Sequence, residues 1–418
     1  MLKIAMLSTG EEVLHGDIVD TNAAWLSEQF FKHGFSLSKR STVGDSKSAM
    51  VEELMMLSFN CDIVVVNGGL GPTTDDVSSE AAAQAAGVEL ELYSQWMDKL
   101  EIFFANRGVD MPESNRKQAM LPKGAVIIDN PIGTACGFSF TFNDCDFYFT
   151  PGVPSEFQLM VESQILPQLT ELHSDVVGYD CSKLYTFGLS ESYLSDTLDK
   201  IDLPAGYVLG YRSHLPYIEV KLFGPKGDVD TRVKLLQIIH NLIETNVVSV
   251  DESMEEYVAH LIADRAQSIS TAEQSTYGHL TRLLNTSYEA AYYCEHGWIL
   301  GESMDVGDSN NDSLAAILAL AGATKEKCHT GIALATGKVK EQTFSVAIAT
   351  KEGEWGQTLT FNRSFSRDDK VTFITTVAAD MLRRYFLGKD MFPKYGSLVR
   401  NKEIYVPREF INNVEPDS

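Results

Sequence analysis

The stretch "VVVNGGLGPTTDDVSSEAAAQAAG", Val64 to Gly87, decides the fold. Its opening residues extend Asp62–Ile63 into a short β-branched run with no polar alternation, the pattern of a strand buried on both faces of a parallel sheet. A glycine-rich turn and an alanine-rich helix follow. Strand, tight turn and helix form the unit from which sheets covered on both faces are built, so the fold class is α/β. In the turn, Gly68, Gly69 and Gly71 expose backbone N–H groups and tolerate positive φ, which suits an anion. A helix starting near Thr74 would add the partial positive charge of its N-terminus. Asp75 and Asp76 oppose this, because carboxylates repel a diphosphate. A divalent cation such as Mg, Mn or Co, shared between these carboxylates and phosphate oxygens, removes the conflict and points to metal-assisted cleavage of a nucleotide diphosphate. The structural alternative is that the two aspartates only cap the helix.

Upstream of this stretch, "KIAMLS" (Lys3 to Ser8) reads as a strand. Thr21 reads as the cap of a helix with an apolar stripe of Trp25, Leu26, Phe30 and Phe31, closed by Gly34. "SLSKRSTV" reads as a strand and "SAMVEELMMLS" as a helix. Downstream, strands are expected around Val126, over Gly137–Phe142 and over Asp146–Phe149, the last opening into "TPGVPSEF". Ligands of open parallel sheets sit beyond the carboxyl ends of the strands. The loops expected there bring Thr9, Glu12, Asp20 and Asn22, then Thr73 beside the glycines, then Asn130, Gly133 and Thr134, then Gly152 and Glu156.

The remaining chain reads as residues 172–250, a strand, a helix and a hairpin; residues 251–392, alternating helices and strands; and a tail over 393–418. The 418 residues carry a formal net charge of −24, a field that opposes nucleic acid and anionic lipid. Six scattered cysteines, Cys61, Cys136, Cys145, Cys181, Cys294 and Cys328, have no CxxC spacing and read as reduced thiols of a cytoplasmic protein. The nine histidines show no HxH or HExxH spacing, and no apolar run reaches the roughly 18 residues of a membrane span. His15, Arg116, Lys117 and Arg212 are isolated candidates, Arg116 and Lys117 for phosphate.

"STGEEVLHGDIVDTNAAWL", "NGGLGPTTDD", "SNRKQAMLP", "NPIGTACGF" and "FTPGVPSEF", in this order, resemble the CinA family, with Glu11 where the family has aspartate. The resemblance implies an N-terminal domain (residues 1–171) with the three-layer MoaB/MogA-like molybdopterin-binding fold. It implies hydrolysis of ADP-ribose to AMP and ribose 5-phosphate with a divalent metal, a KH-like middle domain, and a homodimer. The candidate catalytic residues are Asp75, Asp76 and Glu12, the first two as metal ligands. A protein that holds a pterin or nucleotide without cleaving it shares the same loops. The middle domain's "SHLPYIEV" lacks the GXXG of an RNA-binding KH module.

The family's C-terminal domain is similar to an amidohydrolase that converts nicotinamide mononucleotide (NMN) to nicotinate mononucleotide, with a serine in "AESCTGG". Here "AEQSTYG" puts Gln274 at that position, and an amide is no nucleophile. Ser275, one step further along an expected helix, would point elsewhere. "EHGWILGESMDVGDSNNDS" holds neither the lysine nor the tyrosine of the family's segment, which would leave the serine without a cationic neighbour. "TGIALATG" lacks the family's proline and paired glycines. The C-terminal domain therefore reads as a degenerate homologue.

Overall fold

Ile63–Asn67 is the central strand of the first sheet and every residue of it is buried. In the computed structural model, which describes residues 2–304 and 312–411, it lies between two parallel neighbours, Ile4–Thr9 and Cys145–Thr150. The full order is Leu37–Val43, Ile4–Thr9, Ile63–Asn67, Cys145–Thr150, Gly137–Phe142 and Val126–Ile128, with Gly137–Phe142 antiparallel to both its neighbours. The two-residue period of a strand divides the apolar run between two cores. Ala5, Leu7, Val64 and Val66 pack with Met50, Leu54, Leu57, Ala81 and Trp96. Ile4, Met6, Ile63 and Val65 face the opposite way, onto Ala23, Leu26, Phe30, Phe157 and Met160. Each buried aliphatic or aromatic side chain stabilises this α/β/α sandwich by about 1.5–3 kcal/mol.

Local chemistry fixes the helix ends, with two differences from the sequence reading. The helix Thr21–Lys32 is capped by Asp20, whose Oδ1 accepts from Ala23 N at 2.9 Å, and Thr21 is its first residue. The helix after the glycine turn begins at Ser78, not near Thr74, and runs to Ala86 before left-handed Gly87. Pro72 to Val77 continue the turn. Asp75 and Asp76 therefore do not cap this helix, and its first N–H, from Ser78, is taken by Gly69 O at 3.1 Å.

The chain divides into two units, Met1–Asp180 and Cys181–Ser418. The second holds a middle module built on a four-stranded sheet, ordered Val208–His214, Tyr217–Pro225, Tyr179–Phe187 and Val247–Val250. The helices Glu191–Leu198 and Val229–Ile243 supply Leu194, Leu198, Leu235 and Ile239 to its core. A six-stranded sheet follows, ordered Cys294–Ile299, Ile269–Glu273, Ile332–Thr336, Thr343–Ala349, Gly353–Phe361 and Leu398–Pro407. The helix Arg367–Leu387 packs in one core through Phe373, Val377 and Leu382, and Ser313–Cys328 in another through Leu314 and Ile317.

Residues from Pro393 correct the reading of a tail. Leu398–Pro407 pairs antiparallel with Gly353–Phe361 along its length. As an edge strand it is mostly exposed, so it shows little of the apolar alternation that marks a half-buried strand. A buried charge network holds the segment before it. Fully buried Asp380 accepts from Arg383 Nε (2.9 Å), Arg384 Nε (2.7 Å) and Tyr395 OH (3.2 Å). Arg384 also donates to Thr245 O and Asp390 O, joining the middle module to the long helix. No helix among the described residues is long and apolar enough to cross a membrane.

Candidate functional site

The carboxyl ends of Ile4–Thr9, Ile63–Asn67 and Cys145–Thr150 meet around Asn67. Asn22 Nδ2 donates to Asn67 Oδ1 at 3.0 Å and to Gly152 O at 2.8 Å, and Asn67 Nδ2 donates to Pro151 O at 2.6 Å. Thr9 Oγ1 donates to Asn67 O at 3.4 Å. A Cβ on Gly68, at φ +113°, would sit 2.5 Å from Thr9 Oγ1, and one on Gly152 would lie 3.6 Å from Gly68 Cα. Four of the predicted residues, Thr9, Asn22, Gly68 and Gly152, are thus brought together. Asn22 Oδ1 is buried and has no protein donor. Asn67 was legible only as a strand end; a polar residue closing an apolar run was the available signal.

Gly69, Gly71, Thr73 and Asp76 form one wall of a cavity of about 420 Å³, with Arg116 and Lys117 also lining it. Asp76 folds back onto the turn, where Oδ2 accepts from Thr73 N at 2.9 Å and from the Thr73 hydroxyl. Gly71 makes room for it, since a Cβ there would meet Asp76 Oδ2 at 2.4 Å. Lys117 Nζ donates to Thr73 O at 3.0 Å and pairs with Glu80 at 3.5 Å, which anchors the far end of the turn. Arg116 is exposed and forms no ion pair among the described residues.

Asp75 is exposed, and the neighbouring Thr73 hydroxyl, then its own backbone N–H, holds its carboxyl below the usual range. Thr73 has one hydroxyl proton, and the hydrogen-bond geometry gives it to Asp76. Glu12 lies in an acidic group that the sequence reading did not assemble. Burial raises the Asp45 carboxyl, a hydrogen bond from Glu11 N opposes this, and the charges of Glu12, Asp75 and Glu11 raise it further.

The third predicted loop is closed on itself. Asn130 Nδ2 donates to Glu156 Oε2 (2.7 Å) and Ala135 O (3.0 Å), while Asn130 Oδ1 accepts from Gly133 N (3.0 Å). Thr134 O accepts from Trp96 Nε1 at 3.1 Å. These residues fix the loop and its polar atoms are largely satisfied within it.

Among the described residues no three His, Cys, Asp or Glu side chains are grouped to hold a metal. The donor set is therefore short of a protein cage. It suits a hard cation that takes one or two carboxylates and completes its shell with phosphate oxygens and water. Ionised Asp75 and cavity-lining Asp76 fit that description.

Residues 5–171 match the family model described as "Probable molybdopterin binding domain". Over 398 residues the chain is 40% identical to a CinA-like protein of Escherichia coli O17:K52:H18 (strain UMN026 / ExPEC), covering 95% of this chain and 96% of that one. The chain belongs to the CinA family. A relative in Escherichia coli (strain K12), named NMN amidohydrolase-like protein YfaY, is 40% identical, with 95% of this chain and 97% of its own length covered. Among solved structures, CinA from Thermoplasma acidophilum is 27% identical at a TM-score of 0.37, covering 42% of this chain and 98% of that one. The molybdopterin biosynthesis enzyme MoaB from Thermus thermophilus is 18% identical at a TM-score of 0.30, covering 42% and 96%. In this CinA family member the stretch that matches the molybdopterin-binding family model lies within the first unit, Met1–Asp180.

In its second unit, Gln274 is buried and committed. Its Nε2 donates to Met304 O at 3.0 Å and its backbone N to Thr336 O at 3.0 Å. Two expectations for Ser275 are corrected. It lies in a turn between the strand Ile269–Glu273 and the helix His279–Leu284, not on a helix. It also has cationic company, because Lys338, Arg367 and Lys370 line the same cavity of about 320 Å³. Lys338 comes from the loop after the strand Ile332–Thr336, and Arg367 and Lys370 from the helix Arg367–Leu387, all distant in sequence, so a local reading cannot collect them. Glu302 offsets part of this charge, 3.8 Å from Arg367. The acidic segment Glu295–Ser313 falls partly outside the described residues.

The turn itself is fixed by Glu273. Its buried carboxylate accepts from Gly278 N (2.9 Å), Leu280 N (3.1 Å) and Thr281 N (2.7 Å), and from the hydroxyls of Thr276 and Thr281 (2.6 Å each).

Proposed function

We propose that the N-terminal domain is a metal-dependent hydrolase of ADP-ribose, or a closely related nucleotide diphosphate, yielding AMP and ribose 5-phosphate. The observation that carries this reading is the cavity of about 420 Å³ in which the glycine turn, Asp76, Arg116 and Lys117 share one wall system. Its size suits a nucleotide-sized ligand. The turn permits close approach of a diphosphate, and the uncommitted Arg116 guanidinium matches phosphate oxygens in geometry and charge. Asp75 and Asp76 would hold a divalent cation, which when bound polarises the phosphorus centre and acidifies water. Thr73 orients Asp76, while the Glu11, Glu12 and Asp45 carboxylates keep the neighbourhood anionic. The Asn22–Asn67–Gly152 bonds hold the three strand-end loops in register.

The C-terminal amidase is read as lost, because the position of its nucleophile is a buried glutamine tied to a backbone carbonyl. A second reading, binding of a pterin or nucleotide without cleavage, is favoured by one observation. Asn22 Oδ1 is a buried acceptor that a ligand N–H would satisfy without any chemistry.

The test is AMP release from ADP-ribose by the full chain with magnesium, manganese or cobalt, with chelator, and in Asp75→Asn and Asp76→Asn variants. Metal-dependent release lost in both variants supports hydrolysis. Saturable binding of ADP-ribose or a pterin with no product in any metal supports the binding reading.

A further inference from the structure

A cavity of about 680 Å³ in the second unit is independent of the sites above. It lies between the turn of the hairpin Val208–His214/Tyr217–Pro225 and three helices of the C-terminal domain, Met254–Arg265, His279–Leu284 and Arg367–Leu387. We propose that this cavity binds a phosphorylated polyol or sugar, with the phosphate at Arg282 and the hydroxyls at Thr375 and Glu255.

Three observations carry the assignment. The first is cationic. In a chain of net charge −24, exposed Arg282 lines the cavity with no ion pair among the described residues. His279 lies three residues before it on the same helix, hence on the same face, and His214 enters from the hairpin. A planar guanidinium with two imidazoles is a set of donors for an oxyanion.

The second is an unpaired hydroxyl. On the helix Arg367–Leu387, Thr372 donates to Asp368 O at 2.9 Å and Thr376 to Thr372 O at 2.9 Å, the usual back-bonding of helical threonines. Thr375 lies between them, lines the cavity, is 5% exposed, and its Oγ1 has no partner. A buried hydroxyl left unpaired is destabilising, so a partner supplied by a ligand hydroxyl is favoured there. A helical threonine populates two χ1 rotamers, so a rotamer change is the movement by which a ligand would draw this Oγ1 from its buried position.

The third is a spare acceptor. Two glutamates of the helix Met254–Arg265 line the cavity, but Glu256 closes the capping box on Ser253 N at 2.9 Å. Glu255 forms no ion pair among the described residues and remains as a carboxylate for ligand hydroxyls. A bare anion would be repelled by it, whereas a ligand with an anionic end and a hydroxylated end uses both walls. Such a ligand would also join the middle module to the C-terminal domain.

The experiment is thermal shift and calorimetry on the full chain with a panel of three- to seven-carbon sugar and polyol phosphates, beside the unphosphorylated compounds and inorganic phosphate. At least one phosphate ester should bind with the free sugar and inorganic phosphate each weaker by about tenfold or more. Arg282→Gln should weaken it by about tenfold or more. Thr375→Val should weaken the ester too, and should raise the melting temperature of the unliganded protein by removing an orphan hydroxyl. No binding by any member at ~10 mM overturns the proposal. So does binding that neither variant alters, which places the ligand elsewhere, and so does a lower unliganded melting temperature in Thr375→Val, which gives the hydroxyl a structural partner. Asp75→Asn and Asp76→Asn should leave this binding unchanged, which separates it from the N-terminal reading.

Discussion

Asn22 and Asn67 are bonded side chain to side chain at the carboxyl edge of the first sheet, Nδ2 to Oδ1 at 3.0 Å, and both are buried. The pair sets the strand-end loops because each amide also binds a loop carbonyl, Gly152 O from Asn22 and Pro151 O from Asn67. Substitution Asn67→Ala leaves Pro151 O and one Asn22 N–H unpaired in a place water does not reach. Each orphan group costs about 1–3 kcal/mol. We expect Asn67→Ala to lower the stability of the N-terminal unit by about 2–4 kcal/mol in urea unfolding. A loss under about 0.5 kcal/mol, the range of an ordinary surface substitution, would mean the loops are held by other contacts.

Gly71 and Thr73 together aim Asp76. A Cβ at Gly71 would be 2.4 Å from Asp76 Oδ2, and Asp76 is too short to yield without leaving Thr73. Gly71→Ala should cut AMP release by about 10²-fold, the cost of a misplacement of about 1 Å, with a melting temperature close to wild type. Thr73→Val, which keeps the backbone N–H bond and loses the hydroxyl, should fall between the two. Full activity in Gly71→Ala would remove Asp76 from the mechanism.

The parallel sheet and its two helical layers were legible because Ile4–Leu7 and Ile63–Val66 are apolar at every position, which only a doubly covered strand tolerates. The start of the helix at Ser78 was not, since Thr73 and Asp76 pair with each other and extend the turn that their residue types also suggest as a cap. Asp45 stayed out of view because it meets Glu12 and Asp75 only through the parallel pairing of the strands that precede their loops. The cations around Ser275 escaped because Lys338, Arg367 and Lys370 lie more than 60 residues downstream. Leu398–Pro407 escaped because an edge strand facing solvent need not alternate.

Asp45 offers a stability test with a defined sign. Its carboxyl is raised by partial burial and by Glu12, Asp75 and Glu11, so the folded state holds the proton more tightly than the unfolded chain. A raised carboxyl contributes stability while protonated, and that contribution is lost as pH rises through the folded value. Asp45→Asn should therefore melt higher than wild type at pH 7, and the difference should vanish near pH 3, where both states are protonated. Magnesium with ADP-ribose should also narrow the difference by neutralising the same field. A variant that melts lower at pH 7 would show that the Asp45 charge is paired.

Asp380 has the opposite sign. Complete burial pushes its carboxyl up, but Arg383 and Arg384 overcome this and hold it below the usual range. A depressed carboxyl stabilises the fold above the unfolded value, about 3.9, and loses that contribution as pH falls through the folded value. Asp380→Asn leaves two buried guanidinium groups facing a neutral amide with one acceptor oxygen in place of two, so it should destabilise the second unit by about 3–5 kcal/mol at pH 7. Arg384 would still reach Thr245 O and Asp390 O, so the fold should persist, with a looser junction between the middle module and the long helix. Urea unfolding at pH 7 and at successively lower pH below about 4 measures both effects, and the gap between the two proteins should close on the acidic side. A gap that stays constant with pH would mean the carboxylate contributes through packing alone.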